Sequence, residues 1–325
     1  MAYNVPGRDC SQYSSGGAGS DVAYRAWADG FAAGLTKGHT VIVVVEPDGL
    51  ANLPSDCPGA YPGQDVAALT AGRIADIKYL GEAIMAADPH ALVYVDAGHS
   101  AWHNVADMTS RLENAGVSGF HGFSLNVSNY QWSANLEQYG TWISECIALN
   151  PDAATTTPSN CGDQYWSGGP ANNWTGVALD PALQWSDTAA DPTANTAGIN
   201  SRDASELGST QPTAHFVIDT SRNGQGPWTP PAGTYGDPQT WCNPPGRGLG
   251  ARPRANPDPA NPLLDAYLWI KTPGQSDGQC NRGIAGSTTD PEWGNITDPA
   301  AGAWFPQQAL ELVRLAVPPL APTKR

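Results

Sequence analysis

Residues 41–45 read VIVVV, five β-branched side chains in a row, and they run without a break into Glu46-Pro47-Asp48. A half-exposed strand would alternate apolar with polar residues, so an unbroken run of this kind fits a strand buried on both faces, as in a parallel sheet. Four more apolar runs have the same character: 91–95 (ALVYV), 119–125 (GFHGFSL), 214–219 (AHFVID) and 265–271 (DAYLWIK). Helical patterns lie among them at 20–37, opened by a Ser20-Asp21 cap, at 65–87, at about 102–115 and at 303–316. Strand alternating with helix predicts a parallel α/β sheet or barrel. A chain of 325 residues can form one such barrel, so residues 1–325 are read as a single domain. The block at about 150–212, rich in Pro, Asn, Thr and Asp and poor in periodicity, reads as a long loop insertion within it.

Composition narrows the partner. Gly (36) and Pro (29) together imply many long, shaped loops on a regular scaffold, and loops of that kind carry function. The formal charge of −15 argues against nucleic acid and anionic membrane. Twelve Trp and 11 Tyr exceed what a core needs, because indole is seldom fully buried. Exposed rings interleaved with acids suit a neutral, flat, polyhydroxylated ligand. The six cysteines, Cys10, Cys57, Cys146, Cys161, Cys242 and Cys280, contain no C-x-x-C, which favours structural disulfides and an oxidising, extracellular compartment. Fifteen pairings stay open at this level. The longest aliphatic stretch is 41–45, so no membrane span and no signal peptide are expected within the chain, and a secretion signal would precede Met1.

The chemical signal is where carboxylates fall. Glu46 and Asp48 follow the first run, Asp96 closes the second, Asp219 the fourth, Asp277 comes after the fifth, and Asp9 follows a short strand end at 3–5. In a parallel barrel all strand C-termini open on one face, so these acids would converge at one mouth. A single Asp after a strand is commonly a helix cap or turn former. Acids at five strand ends ask for more, since Ser, Thr or Asn would cap equally well. Glu46 has the plainer alternative of bracing a loop. Crowded carboxylates repel, which keeps a proton on one beside an ionised partner, an arrangement suited to acid-catalysed cleavage of an acetal. His99 and His103 stand at i, i+4 but no third ligand accompanies them, so neither a metal nor a cofactor is expected.

Seven segments, in order along nearly the whole chain, carry a family resemblance: YNVPGRDC at 3–10, VEPDGLANL at 45–53, DAGHSAWH at 96–103, NVSNY at 126–130, DTSRNG at 219–224, WCN at 241–243 and LWIKTPGQSDG at 268–278. With these the chain resembles glycoside hydrolase family 6, the cellulases that include endoglucanases and cellobiohydrolases. The resemblance implies a distorted (β/α) barrel of mostly parallel strands with long loops, and inverting hydrolysis of β-1,4-glucosidic bonds in cellulose and related β-glucans. Asp48 matches the general acid, Asp9 the aspartate that raises its pKa and steers a water chain, Ser15 a loop serine that relays protons, and Asp277 the proposed base. Asp96 matches a further site aspartate that supports the cationic transition state, with anchoring of Arg222 or Lys271 as its alternative. Trp102 and Trp241 match sugar platforms, Tyr3 the tyrosine beneath the scissile ring, and Lys271 the lysine that hydrogen-bonds the sugar. Asn126, Arg222 and Gln275 join them as substrate-binding candidates. The implied disulfides are Cys10–Cys57 and Cys242–Cys280, leaving Cys146–Cys161.

Two departures stand out. Gln275 occupies a position where the family usually carries Glu. The matching also starts within the strand that comes second in the family, which leaves either a barrel open at that edge, without the family's first strand, or a sequence that starts partway. The expected protein is a secreted, monomeric endoglucanase. The alternatives are a cellobiohydrolase acting from chain ends, a catalytically silent carbohydrate-binding protein, and a metal-dependent hydrolase.

Overall fold

A computed structural model describes residues 1–8, 10, 16–35, 39–150, 161–165 and 177–321. Its centre is a six-stranded sheet of β1 (Ile42–Val45), β2 (Leu92–Asp96), β3 (Gly122–Leu125), β4 (His215–Asp219), β5 (Arg254–Ala255) and β6 (Leu264–Leu268), in the order β1-β2-β3-β4-β6-β5. Every pairing is parallel except β5 with β6. The sheet curls into part of a barrel, as the strand–helix alternation predicts. Among the described residues no strand joins its two edges. The outer edge of β1 is met by one parallel bridge from Ala2, whose N–H donates to Val44 and whose carbonyl accepts from Glu46, both at 2.8 Å.

Among the described residues six α-helices flank the sheet: α1 (Asp21–Ala33), α2 (Val66–Ala87), α3 (Val105–Asn114), α4 (Ser133–Leu149), α5 (Ala197–Leu207) and α6 (Pro306–Arg314). Capping explains where several start. Ser20 Oγ accepts from Ala23 N, Asp65 Oδ1 from Ala68 N and Asn104 Oδ1 from Asp107 N, each quenching an orphan N–H of a first turn. The main core lies between the outer sheet face, with Val43, Val45, Val93, Val95, Phe123, Phe216 and Ile218, and the helices laid on it. Val217, Ala266 and Tyr94 alternate to the opposite, concave face and form a second cluster.

Two helices are absent from the sequence reading. Helix α4 has no capping side chain at Trp132, and its buried residues, among them Leu136, Tyr139, Gly140, Trp142, Ile143 and Cys146, wrap around much of its surface, so neither a start signal nor a clean stripe marks it. Gly140 lets it sit directly on β4, since a Cβ there would lie 2.6 Å from the Phe216 ring. Helix α5 lies inside the block expected to be loop, and its buried Ile199 and Asp203 face α4. The fifth apolar run, at 265–271, pairs in the sheet as β6 only as far as Leu268, because residues 269–271 leave it for the mouth.

All three implied disulfides are formed, Cys10–Cys57, Cys146–Cys161 and Cys242–Cys280. The first joins the N-terminal segment to the loop after β1. Arg73 of α2 reinforces that junction by donating to the carbonyls of Asn52 and Pro6. The longest loop, spanning 47 residues, gains about 4 kcal/mol from its cross-link in the chain-entropy account.

Half-buried Glu145 and the buried Asp203 and Asp298 titrate far above the ordinary carboxyl range. Burial, then the nearby Asp203 charge, pushes Glu145 up to about 8. Burial likewise carries Asp203 up to about 7, and Asp298 up to about 7. A folded-state pKa above the unfolded one gives stability that is complete at low pH and lost as pH rises through the folded value. The melting temperature is therefore expected to fall as pH rises from 4.5 to about 8, with a shallower fall in Glu145→Gln. Differential scanning calorimetry checks this, and a melting temperature that climbs across that window contradicts it.

Candidate active site

The C-terminal ends of the strands are built from strained turns. Glu46, Asp48, Asn126, Ser128 and Asn243 all have positive φ, between 39° and 66°. Such backbone is costly for residues with a Cβ and persists only where surrounding bonds fix it. Glu46 is fixed from three sides. Its carboxylate accepts from Asn4 N (2.7 Å), Val5 N (3.3 Å) and the Tyr24 hydroxyl (2.8 Å). It is thus the loop brace allowed for in the sequence, and it holds the N-terminal segment and α1 against the end of β1.

Two residues on, Asp48 points its N–H at Asp96 Oδ2 (2.9 Å). Asp96 is buried and also accepts from Gly98 N (3.2 Å) and Ser124 Oγ (3.1 Å). Burial, with the Asp48 charge second, holds the Asp96 carboxyl well above the usual range. Asp96 therefore retains a proton beside the Asp48 charge. Anchoring of Arg222 or Lys271 is not what Asp96 does; both cations turn to Asp277.

Asp277 is the electrostatic opposite. Arg222 grips both its oxygens (2.9 and 3.0 Å), Tyr130 donates its hydroxyl (2.8 Å), Asn243 its backbone N–H (3.0 Å), and Lys271 Nζ stands 3.5 Å away. Burial alone would raise its pKa, but Arg222, Lys271 and these hydrogen bonds outweigh it and hold the carboxylate below its ordinary value. Burial lowers the Lys271 pKa despite the attraction of Asp277.

A cleft of about 1150 Å³ runs over these groups, larger than the roughly 300–1,000 Å³ of ordinary small-molecule pockets and suited to an extended ligand. Asp48, Tyr3, Trp102, Trp241, Lys271, Gln275 and Asp277 all line it. Tyr3 and Trp241 are 44% and 38% exposed, so ring surface is available for stacking. Trp102 is half-buried and stacks on His103 at 13° between planes. His99 also lines the wall; burial, then the His103 charge, drops its pKa to about 3, leaving a neutral imidazole.

Two substrate-binding expectations need correction. Asn126 is fully buried and its amide is spent on the loop: Nδ2 donates to Asp219 O (2.8 Å) and Oδ1 accepts from Gln131 N (3.0 Å). Arg222 is also fully buried, behind Asp277 and against the Tyr130 ring, so it orders the site and does not line the cleft. Asp9 and Ser15 lie outside the described residues.

Several cleft residues escaped the sequence reading. Tyr130 and Asn243 sit inside two of the quoted segments, yet only the fold shows them clasping Asp277, with Asn243 Oδ1 also accepting from Asp277 N (2.8 Å). Trp228 and Tyr235 line the cleft from a Pro-rich loop at 227–238. Aromatic rings between prolines were the available signal.

Acids at the strand ends of a parallel α/β sheet, beneath a ring-lined cleft, are the site this fold presents. The sequence profile of Glycosyl hydrolases family 6 matches residues 1–316, and the chain belongs to that family. It is 33% identical over 316 residues to Endoglucanase A of Cellulomonas fimi, covering 97% of this chain and 46% of that protein. It is 29% identical over 338 residues to a probable 1,4-β-D-glucan cellobiohydrolase C of Neosartorya fischeri, covering 98% and 62%. Among solved structures it resembles the endoglucanase Cel6 of Mycobacterium tuberculosis in complex with methyl-cellobiosyl-4-deoxy-4-thio-β-D-cellobioside, at 32% identity and a TM-score of 0.62, covering 96% of this chain and 74% of that one. The chain spans about half the length of the first curated relatives it matches.

Removing Arg222 tests the ion pair. Arg222→Met leaves Asp277 buried beside Lys271 alone and is expected to cost about 3–5 kcal/mol in urea unfolding. Arg222→Lys should recover only part of this, because a point charge cannot replace the two-pronged grip. A loss below about 1 kcal/mol in Arg222→Met, the worth of a surface pair, would show that the pair is not desolvated.

Proposed function

We propose that this chain is a secreted endo-β-1,4-glucanase that hydrolyses internal bonds of cellulose and related β-glucans with inversion. The observation that carries the reading is that one cleft is lined by Asp48, backed by the buried, proton-retaining Asp96, and by an ionised carboxylate, Asp277. Acetal cleavage needs both: a carboxylic acid for the leaving oxygen and a negative charge toward which the attacking water sheds its proton. Asp48 is the acid, protonating the glycosidic oxygen as the C1–O bond breaks. Asp96 holds a proton behind Asp48 in the resting site and adds negative charge near the oxocarbenium ion once a proton has left the two.

Asp277 is the base in a restricted sense. Four donors already occupy its oxygens, so the proton of the attacking water reaches it through further water and not by direct capture. Tyr3, Trp102 and Trp241 offer stacking faces, and Lys271 and Gln275 hydrogen-bond sugar hydroxyls. Gln275 donates as well as accepts, which a carboxylate could not do. Asp9 and Ser15 are assigned the pKa-raising and proton-relay roles that the family resemblance implies.

Internal cleavage is favoured over chain-end action by the bacterial relatives, named endoglucanases at 30–33% identity, against 28–30% for the fungal cellobiohydrolases. The three disulfides support an extracellular location. No helix among the described residues is long and apolar enough to cross a membrane.

The test is hydrolysis of a soluble cellulose derivative followed by NMR of the first products. Expected are α-configured new reducing ends, a viscosity drop that outpaces the release of reducing sugar, and loss of nearly all turnover in Asp48→Asn with oligosaccharide binding retained. β-Configured first products would overturn inversion, and slow viscosity loss would move the reading to chain ends. Binding without any release would leave a silent carbohydrate-binding protein.

A further inference from the structure

The concave face of the sheet has two ends, and the cleft uses only one. In β4 the residues His215, Val217 and Asp219 share that face, since side chains alternate along a strand. Asp219 belongs to the mouth. His215 lies four residues earlier, about 13 Å away along the strand at the usual rise per residue, where the sheet's N-terminal end meets solvent.

Three metal-ligating side chains meet there. His215 Nδ1 stands 2.8 Å from Asp265 Oδ1, and His121 Nε2 stands 3.2 Å from Asp265 Oδ2. All three ligand atoms lie within 4.8 Å of one another. They come from three neighbouring segments: His121 just before β3, His215 opening β4 and Asp265 in β6. The juxtaposition depends on Gly122, because any Cβ there would collide with the His215 carbonyl at 1.7 Å.

We propose that His121, His215 and Asp265 bind a divalent zinc-class cation at the end of the sheet opposite the cleft. In a tetrahedral zinc site with bonds of 2.0–2.2 Å, ligand atoms stand about 3.3 Å apart, so spacings that all lie within 4.8 Å need adjustments of no more than about 1.5 Å. Two imidazoles and a carboxylate are a donor set that zinc and its first-row neighbours accept, with the remaining position left to water. Side-chain exposures of 38% for His121, 37% for His215 and 24% for Asp265 give the ion a way in.

A supporting shell is present. The Tyr94 hydroxyl donates to Asp265 Oδ2 at 2.6 Å, fixing the carboxylate as outer-shell partners of metal ligands do. Tyr94 comes from β2, so the bound ion links β2, β3, β4 and β6 in one clamp. In a sheet whose edges no strand joins among the described residues, such a clamp resists uncurling at the end opposite the cleft. The proposal does not depend on the hydrolase reading, because none of its residues lines the cleft.

The experiment is calorimetric titration of the EDTA-stripped, dialysed chain with Zn²⁺, together with thermal melts and visible absorption of the Co²⁺ form. Expected are one zinc equivalent, a melting temperature that rises with free zinc as linkage requires, and cobalt ligand-field bands of low-coordinate geometry. His215→Gln and His121→Gln should each abolish the stoichiometric site, and Tyr94→Phe should weaken it about 10–100-fold. Failure of the wild-type chain to bind zinc overturns the proposal, as does binding that survives in a folded His variant. Should both His variants fail to fold, the cobalt spectrum of the wild-type chain decides: imidazole-ligated bands support the site, and their absence refutes it.

Discussion

The Asp219 carboxylate accepts backbone N–H groups from Ser221 (2.9 Å), Ile270 (3.3 Å), Ser128 (3.1 Å) and Lys271 (3.0 Å). These belong to the loops leaving β4, β6 and β3, so one buried side chain ties together three adjacent strand ends. Its own carbonyl takes the Asn126 amide, closing the same junction from below. Peptide N–H groups at strand ends have lost their ladder partners, and leaving them buried and unpaired would cost a large part of a hydrogen bond each. Asp219 supplies the missing acceptors. The cost falls on the carboxylate, whose pKa is raised by burial.

From that junction the charges of the cleft follow. Lys271 is held by its own N–H bond to Asp219, and the Ser128 carbonyl accepts from Arg222, so each cation is positioned by bonds other than those to Asp277. Asn243 then clasps Asp277 backbone to side chain in both directions, while its amide reaches Ser276, Gly278 and Asp298. The Cys242–Cys280 disulfide joins the two loops that meet there. On the other side, Glu46 and Arg73 fix the turn that carries Asp48. The opposed states of the two carboxylate centres thus arise from burial with a like charge on one side and burial among cations on the other.

The strands were readable because burial on both faces leaves a local signature, as Val43, Val44 and Val45 show in the first run, although Ile42 near its start is exposed. Segment order identified the family and, through it, the disulfides. Helix α4 was not readable, since a helix buried around much of its surface between α3, α5 and β4 has no polar face to set its period. Asn126 and Arg222 show a different limit. A motif reports which residues gather at a site, but Asn and Arg serve equally as ligand-binding groups or as the hydrogen-bonding frame behind them, and only their surroundings decide.

The sequence alone determined a parallel α/β scaffold with acids at the strand ends, because hydrophobic runs and the residues that terminate them are encoded next to each other. The tertiary structure decided which acid keeps a proton and which is ionised. That depends on Asn243, Arg222 and Tyr130 converging on Asp277 from positions 34, 55 and 147 residues away, together with Lys271 from the same loop. Electrostatic environment is a property of distance in space, and nothing local in the chain records it.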